Sequence, residues 1–168
     1  MDVTIRGCMA LSTLLMGCSF GVPTLQELVG DAGVVAADDG SAVAKQPLTG
    51  NVQGKAFTGK VAISKTSFGS KSITIYEKDA TCANTPALSD GRSVFFTPES
   101  WADGATFALS SSRTATFYSS GTNLGASKGR VEVVTIGNAT TPGTLRIRAT
   151  YSSDTKIEGE VPVYTCAD

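Results

Sequence analysis

Cysteine is the residue type in this sequence best suited to chemistry, and the 168-residue chain has four of them. Cys8 and Cys18 stand in or directly behind a short apolar run near the N-terminus, which leaves Cys82 and Cys166 as a pair. The sequence has no histidine, so no imidazole is present to activate a thiol or to act as a general base. In an exported domain, two such cysteines without a Cys-x-x-Cys spacing are expected to form a structural disulfide. No catalytic residue, metal ligand or cofactor is predicted.

Two stretches match catalytic signatures by letter, but neither lies in the structural setting that its chemistry requires. Gly17-Cys18-Ser19-Phe20-Gly21 matches the Gly-x-Ser-x-Gly elbow of hydrolases, which needs a strand-to-helix turn and a histidine partner. Ser153-Asp154-Thr155-Lys156 matches Ser-x-x-Lys, which works at the start of a buried helix, whereas this stretch lies in a predicted exposed hairpin. Glu158 and Glu160 share one face of one predicted strand, which is typical of a solvated surface rather than of a glycosidase cleft.

The N-terminal segment has the layout of an export signal. Arg6 and the terminal amine precede an apolar run over residues 8–16, which is too short to span a bilayer as a helix. Gly17 supplies the small residue that is usual before a cleavage site. The stretch Leu15-Met16-Gly17-Cys18 resembles the lipobox of bacterial lipoprotein precursors, in which the cysteine becomes the lipidated first residue of the mature protein.

This resemblance implies cleavage before Cys18 and acylation of that cysteine, with palmitate-like chains inserted in a membrane. Each buried CH₂ contributes about 0.8 kcal/mol, so several acyl chains anchor a protein stably. In this family an aspartate after the cysteine is associated with retention in the inner membrane, and Ser19 therefore favours the outer membrane. Two alternatives stay open: an ordinary secretory signal that releases a soluble domain, and an N-terminal helix or strand that is never cleaved.

The composition divides the chain into a signal peptide over 1–17, a tether over 18–46 and a β-rich domain over 47–168. The tether shows no strand alternation, and its spacing of leucines permits at most a short helix near residues 24–33. Residues 38–47 are expected to form a solvated linker, which would hold the domain away from the membrane surface.

From residue 47 onward, short runs of alternating apolar and polar residues recur between clusters of glycine, serine, asparagine and proline. Without any helix-length crossover, this pattern predicts an all-β domain, namely an antiparallel β-sandwich of about 8–9 strands with a barrel as the runner-up. The predicted strands cover residues 47–52, 55–65, 70–78, 92–97, 104–110, 113–119, 129–137, 143–151 and 156–166.

The last three predicted strands allow a prediction of register. If the hairpin turns near residue 140, Val133 pairs with Ile147 and Glu132 faces Arg148. The following turn then brings Glu160 to the other side of the same arginine. We therefore predict a Glu132–Arg148–Glu160 ladder on the outer face, in which each cross-strand charge pair contributes about 0.2–1 kcal/mol.

The inward positions of the predicted strands define the expected core. Trp101 lies between strands and is expected to cover one end of the core, with its indole N–H bonded to a nearby carbonyl; a ligand platform is the alternative. The expected core residues are Val61, Ile63, Ile73, Ile75, Val94, Phe96, Phe107, Leu109, Phe117, Val133, Ile147 and Val161.

The net charge and the residue pattern of the chain restrict the functions that can be expected. The chain has 14 basic and 15 acidic residues without a basic cluster, which argues against nucleic-acid binding. The texture of residues 47–168 resembles that of small envelope lipoproteins of Gram-negative bacteria. We expect a lipid-anchored, exported envelope protein with a non-catalytic binding, adhesion or structural role, whose partner is an envelope protein or a glycan.

Two other functions remain as alternatives. One is a carboxylate-type hydrolase or enzyme inhibitor on the same scaffold, and the other is a soluble secreted β-domain without lipid. A deep pocket with two converging acidic side chains would favour the enzyme. A flat face rich in serine and threonine, or a protruding loop near residues 79–91 or 98–104, would favour binding.

Overall fold

The computed structural model describes residues 40–167, except for the side chain of Ser67, and the fold given below is that of this part of the chain. The predicted signal peptide, its Cys18 and the helical stretch of the tether lie outside the described residues. Eleven strands and one short 3₁₀ turn are present: β1 (Thr49–Val52), β2 (Lys55–Thr58), β3 (Val61–Ser67), β4 (Ser70–Tyr76), the 3₁₀ turn (Leu88–Asp90), β5 (Ser93–Phe96), β6 (Thr106–Ala108), β7 (Ala115–Ser119), β8 (Thr122–Ala126), β9 (Lys128–Thr135), β10 (Gly143–Ser152) and β11 (Thr155–Thr165).

The strands form one curled sheet that resembles half of a barrel, in the order β6-β9-β10-β11-β3-β4-β5-β7-β8. The sheet is mixed, which corrects the predicted antiparallel sandwich. The reason lies in β11, whose 11 residues offer two partners along one edge. Its first half pairs with β1 in antiparallel fashion, and its second half pairs with β3 in parallel fashion. Curling brings β8 near β10 and β7 near β1, so a single sheet encloses its own core.

The main core fills the concave side of the curl, and all twelve predicted core residues are buried. Two of them, however, lie on the convex side. Ala62 and Ser64 pair in register with Ile75 and Ile73, so these positions of β3 face the main core, whereas Val61 and Ile63 face outward. There they form a second apolar cluster with Tyr76, Ala80 and Cys166.

Most predicted strands begin and end within two residues of the observed ones, and two differences are larger. The predicted strand 55–65 is broken at Gly59 and Lys60 into β2 and β3, because the chain leaves the short β1–β2 hairpin there to join the main sheet. Strand β8 was not predicted. Its sequence, Thr-Asn-Leu-Gly-Ala, has only Leu124 and Ala126 as apolar residues and so lacks a clear alternation.

The predicted disulfide between Cys82 and Cys166 is confirmed, with a Cα–Cα distance of 5.4 Å. It joins the end of β11 to the loop that follows β4, next to the second apolar cluster. The bridge closes a loop of 84 residues, which contains most of the sheet.

Ser64 tests the energetic cost of a buried hydroxyl in the core. It is completely buried, and its hydroxyl has no hydrogen-bond partner among the described residues. Because a buried hydroxyl without a partner costs free energy, we expect Ser64→Ala to leave the free energy of unfolding unchanged or to raise it by about 1 kcal/mol. Denaturant unfolding measures the difference.

The matched control for Ser64 is Thr155, a buried residue whose hydroxyl accepts a hydrogen bond from the backbone amide of Gln53 at 3.0 Å. We expect Thr155→Ala to lose about 1–2 kcal/mol, because that amide would then lack its acceptor. A loss of the same size in Ser64→Ala would show that the Ser64 hydroxyl is satisfied.

Candidate functional site

A row of three charged side chains crosses the convex face of β9, β10 and β11. In the observed register Arg146 stands between Glu132 and Glu160. Its Nε donates a hydrogen bond to a carboxylate oxygen of Glu160 at 2.8 Å, and its terminal nitrogen lies 3.6 Å from Glu132. The predicted ladder therefore exists on the expected face with a different arginine, and the predicted pairing of Arg148 with Glu132 and Glu160 is wrong.

The changed partner of Glu160 follows from the β10–β11 turn, where Ser152 pairs with Thr155 and the register shifts after Thr150. The changed partner of Glu132 follows from the loop between β9 and β10. Asn138 accepts hydrogen bonds from the amides of Thr140 and Thr141 and holds a loop that is longer than a tight hairpin. A register shift at Thr144 then pairs Val133 with Leu145 instead of Ile147. A displacement of two residues keeps every side chain on its predicted face while it changes every partner.

Arg148 belongs to the next row of the same face. It pairs in register with Glu158 on β11, and its guanidinium nitrogen lies 3.9 Å from that carboxylate. Its register partner on β9 is Arg130, whose Nε lies 3.5 Å from a carboxylate oxygen of Glu132. The face thus has a charge network of three arginines and three glutamates, in which contacts run from Arg130 through Glu132 and Arg146 to Glu160, and Arg148 contacts Glu158.

The segment of residues 41–47, here called the N-terminal strap, crosses this charged face. The amide of Val43 donates to Glu132 at 3.0 Å, and the amide of Ala44 donates to Glu158 at 3.3 Å. Arg148 donates to the hydroxyl of Ser41 at 2.7 Å. Val43 is 2% exposed, so this part of the predicted solvated linker is fastened to the domain.

The end of the strap also pairs with β11. The amide of Glu160 donates to the carbonyl of Gln46, and the amide of Leu48 donates to the carbonyl of Glu160. Gly159 makes this approach possible, because a Cβ at that position would lie 2.6 Å from the Gln46 carbonyl oxygen. Leu48, which follows the strap, is fully buried in the main core. The charged face therefore holds the chain that comes from Cys18.

We expect the charge network to be sensitive to Arg146. The arginine and Glu132 are largely buried, with side-chain exposures of 17% and 13%. Removal of the shared cation in Arg146→Met leaves two carboxylates close together, and we expect a loss of about 1–2 kcal/mol in the free energy of unfolding. A double-mutant cycle with Glu160→Gln should give a coupling of about 0.5–1 kcal/mol.

The control for this prediction is the same cycle with Arg148, the arginine that does not contact Glu160. We expect a coupling between Arg148→Met and Glu160→Gln that is within about 0.3 kcal/mol of zero. Equal couplings for the two arginines would contradict the observed register.

A second region of the convex face, on β5, β7 and β8, has a different chemistry. Its residues are uncharged and alternate with the core residues of the same strands. One row runs Thr74–Phe95–Thr116–Gly125 across β4 to β8, and the next runs Tyr76–Ser93–Tyr118–Asn123. We call the accessible part of these rows the uncharged face; it consists of Thr74, Phe95, Thr116, Tyr118, Asn123 and Gly125.

The uncharged face combines two half-buried aromatic rings with hydroxyl and amide groups. Phe95 and Tyr118 lie on neighbouring strands, and Thr116 stands directly opposite Phe95. Aromatic rings next to donors and acceptors are typical of sites where a polar ligand is bound in one orientation. With two threonines and no serine on a convex surface, this face differs from the flat face rich in serine and threonine that was expected to favour binding, and it was not located from the sequence. The alternation in 115–119 and 93–96 could have located it.

An open groove of about 450 Å³ adjoins the uncharged face at the end of β5 and β7. The residues that line it include Phe95, Thr114, Thr116, Glu99 and Arg113. Arg113 contacts Glu99 at 2.9 Å, and its guanidinium carbon lies 5.8 Å from the centre of the Phe107 ring. Among the described residues that line the groove, the two charged ones are therefore paired with each other.

Trp101, which was expected to cover one end of the core, packs against the main core. Its indole N–H is buried but has no hydrogen-bond partner among the described residues, so the expected bond to a carbonyl is absent there. In the loop at 79–91, Ala80 belongs to the second apolar cluster and Cys82 packs against it, whereas residues 87–90 are exposed. In that cluster burial raises the pKa of the Tyr76 hydroxyl above its ordinary value, and a hydrogen bond with Thr74 opposes this shift.

The acidic side chains of the charged face are engaged by arginines or by backbone amides. Glu132, Glu158 and Glu160 each have such a partner. The small cavity lined by Glu77 and Asp90 has a volume of only about 10 Å³, which is the space of one water. Between residues 40 and 167, no three of the cysteine, aspartate and glutamate side chains come together as a metal site would require.

In the part of the chain that the structure describes, no helix has the length and apolar character needed to cross a membrane. Comparison of the chain with protein-family models, with curated proteins and with solved structures finds no match.

Proposed function

We propose that this chain is an exported envelope protein, anchored by lipid at Cys18, whose β-domain binds a partner without catalysing a reaction. The observation that carries the proposal is the division of the convex surface into two faces. The charged face holds the strap that leads toward Cys18, and the uncharged face is accessible. A tethered domain of this design presents a binding surface while its other surface secures the tether.

Export is supported by the disulfide and by the N-terminal signal. A disulfide between Cys82 and Cys166 persists in oxidising compartments and is rare in the cytosol. The apolar run and Gly17 provide the features of a secretory signal. Lipid attachment is supported by the lipobox-like Leu15-Met16-Gly17-Cys18, and the outer membrane by Ser19.

The chemistry of the uncharged face favours a neutral glycan as the ligand. The C–H groups of a sugar ring pack against an aromatic ring, and its hydroxyls bond to side chains such as those of Thr116 and Asn123. The face itself has no charged residue, so an ionic polymer would find no opposite charge on it. The neighbouring groove has room for one or two sugar units beside Phe95.

Mass spectrometry of the purified mature protein tests the anchor. We expect an N-terminal peptide that begins at Cys18 and carries acyl chains, and we expect the protein in the membrane fraction. Cys18→Ser is the control, because it removes the acceptor thiol and should move the protein to the soluble fraction. An unmodified N-terminus, with the protein in the medium, would overturn the anchoring part of the proposal.

Retention on immobilised neutral polysaccharides tests the binding face. We expect Phe95→Ala and Tyr118→Ala each to weaken retention about tenfold, which corresponds to about 1.4 kcal/mol. Tyr151→Ala is the matched control, since Tyr151 is an exposed aromatic residue near the end of β10 and is not one of the residues of this face. Equal retention of all three variants, or no retention of the parent protein, would argue against glycan binding.

A further inference from the structure

The turn between β3 and β4 exposes the only phenylalanine that lies fully in solvent among the described residues. Phe68 has a relative exposure of 106%, whereas Phe57, Phe96, Phe107 and Phe117 are all buried. Its φ is +51°, in the left-handed region that bulky residues rarely adopt. The position is therefore unfavourable in two ways, because it combines an exposed apolar ring with a strained backbone.

Two other hairpins of the same chain show what this turn ordinarily contains. The β1–β2 and β7–β8 connections also have two residues, and both residues have positive φ, as in a type I′ turn. They have Gln53 and Ser120 at the position that Phe68 occupies, each followed by glycine. The fold therefore needs no aromatic side chain here, since polar residues build the same turn twice. A bulky residue in the left-handed region is a backbone outlier of the kind that is often found at functional positions.

The residues behind the tip are basic and polar. Lys71 pairs with Thr66, one step behind the turn, and Lys65 pairs with Ser72 in the next step. No acidic residue occurs in β3, the turn or β4. An apolar tip with cations one or two steps behind it matches the boundary of a bilayer, where the ring enters the acyl region and the ammonium groups meet lipid phosphates.

We propose that Phe68 is a membrane-insertion residue, and that the β3–β4 hairpin docks the domain on an anionic lipid surface with Lys65 and Lys71 on the headgroup phosphates. This inference rests on the proposed anchoring, because one aromatic ring and two lysines bind a bilayer weakly without a tether. The tether over 18–40 has a reach of roughly 75 Å when extended, which is long enough for the hairpin to meet the same membrane. Docking sets the orientation of the domain, and the lipid at Cys18 keeps it there.

The experiment places a tryptophan reporter at the tip. Phe68→Trp is made in a Trp101→Phe background, and the acylated protein is reconstituted in phosphatidylglycerol vesicles. We expect a blue shift of the emission and strong quenching by brominated lipid. Ser120→Trp in the same background is the matched control, because it occupies the same turn position in another hairpin, and its emission should stay that of a solvent-exposed indole.

A second arm separates this inference from the anchoring proposal. The full chain with Cys18→Ser is titrated with the same vesicles, and we expect Phe68→Ala to lower its partition about tenfold. Zwitterionic vesicles, or the double variant Lys65→Gln/Lys71→Gln, should weaken it as well. This comparison still tests membrane insertion by Phe68 if mass spectrometry finds no lipid at Cys18.

Three results would overturn the inference. The first is identical emission spectra for the tryptophans at positions 68 and 120. The second is a partition of Phe68→Ala into vesicles that equals that of the parent. The third is a blue shift at position 68 that occurs without lipid and only when an envelope protein is added. The last result would assign the tip to a protein partner instead of a bilayer.

Discussion

We expect the double variant Cys82→Ser/Cys166→Ser to lose about 4–5 kcal/mol in the free energy of unfolding, because the bridge no longer restricts the unfolded chain. The bridge closes a loop of 84 residues, so its removal frees a large conformational ensemble. For a β-domain of this size, the expected fall in the melting temperature is roughly 15–20 °C. Thermal and denaturant unfolding, followed by circular dichroism, measure both quantities.

Local unfolding of the disulfide variant should begin at a defined place in the sheet. Cys166 belongs to the second apolar cluster with Val61, Ile63 and Tyr76, on the convex side of β3 and β4. The parallel pairing of β11 with β3 covers only Val163 to Thr165, directly before this cysteine. Hydrogen exchange should therefore show early opening of this pairing in the variant, while the β9–β10 amides stay protected.

Reduction of the parent protein is the control for the disulfide variant. Dithiothreitol should lower its stability by a similar amount and leave the serine variant unaffected. A serine variant that unfolds within about 1 kcal/mol of the oxidised parent would contradict the expectation, and it would mean that the second apolar cluster holds the end of β11 without the bridge.

The disulfide could be predicted from the sequence because it depends on counting rather than on geometry. Two of the four cysteines belong to the N-terminal segment, so a single pairing remained for the other two. The burial of the core residues was predictable for a similar reason. A period of two in a strand determines which residues share a face, and ten of the twelve predicted positions lie in the main core, while Val61 and Ile63 are buried in the second apolar cluster.

Period alone does not determine partners or the topology of a sheet. In the β9–β10 hairpin, a displacement of two residues preserves the faces and replaces Arg148 by Arg146 between the two glutamates. An asparagine predicts a turn in which its side chain bonds nearby backbone amides, but it does not predict the length of the loop, on which the register depends. The parallel pairing of β11 with β3 is a contact between distant parts of the chain, so local sequence could not indicate it.

The strap was not predicted because its binding depends on a surface built by other strands. Residues 41–47 have no alternation and look like a linker, yet Glu132, Glu158 and Arg148 supply the partners for their backbone and for Ser41. Those three side chains come together only after β9, β10 and β11 have paired. The uncharged face is a similar case, since it appears only when β5, β7 and β8 lie side by side.

The strap leads to the second large expected effect, that of Gly159→Ala. A Cβ at this position would lie 2.6 Å from the carbonyl oxygen of Gln46 and 2.7 Å from the Cα of Leu48, and both are backbone atoms that cannot rotate away. The φ of Gly159 is +140°, a conformation that alanine rarely adopts. We expect a loss of about 2–4 kcal/mol, from backbone strain together with overpacking.

Hydrogen exchange and a matched glycine variant make this expectation specific. The amides of Leu48 and Glu160 hold the strap on β11, and they should lose protection first in Gly159→Ala. Gly125→Ala is the control, because a Cβ there meets Thr114 at 3.8 Å, an ordinary contact distance. We expect the free energy of unfolding of that control to lie within about 0.5 kcal/mol of that of the parent.

If both glycine variants are equally stable, the strap is not held against β11 as described. If only Gly159→Ala is destabilised and its strap amides exchange freely, the segment before β1 is part of the folded domain, which then begins near Ser41. If Cys18 carries the proposed lipid, the charged face limits the distance between the domain and its anchor, since release of the strap would lengthen the connection by about seven residues, or roughly 25 Å.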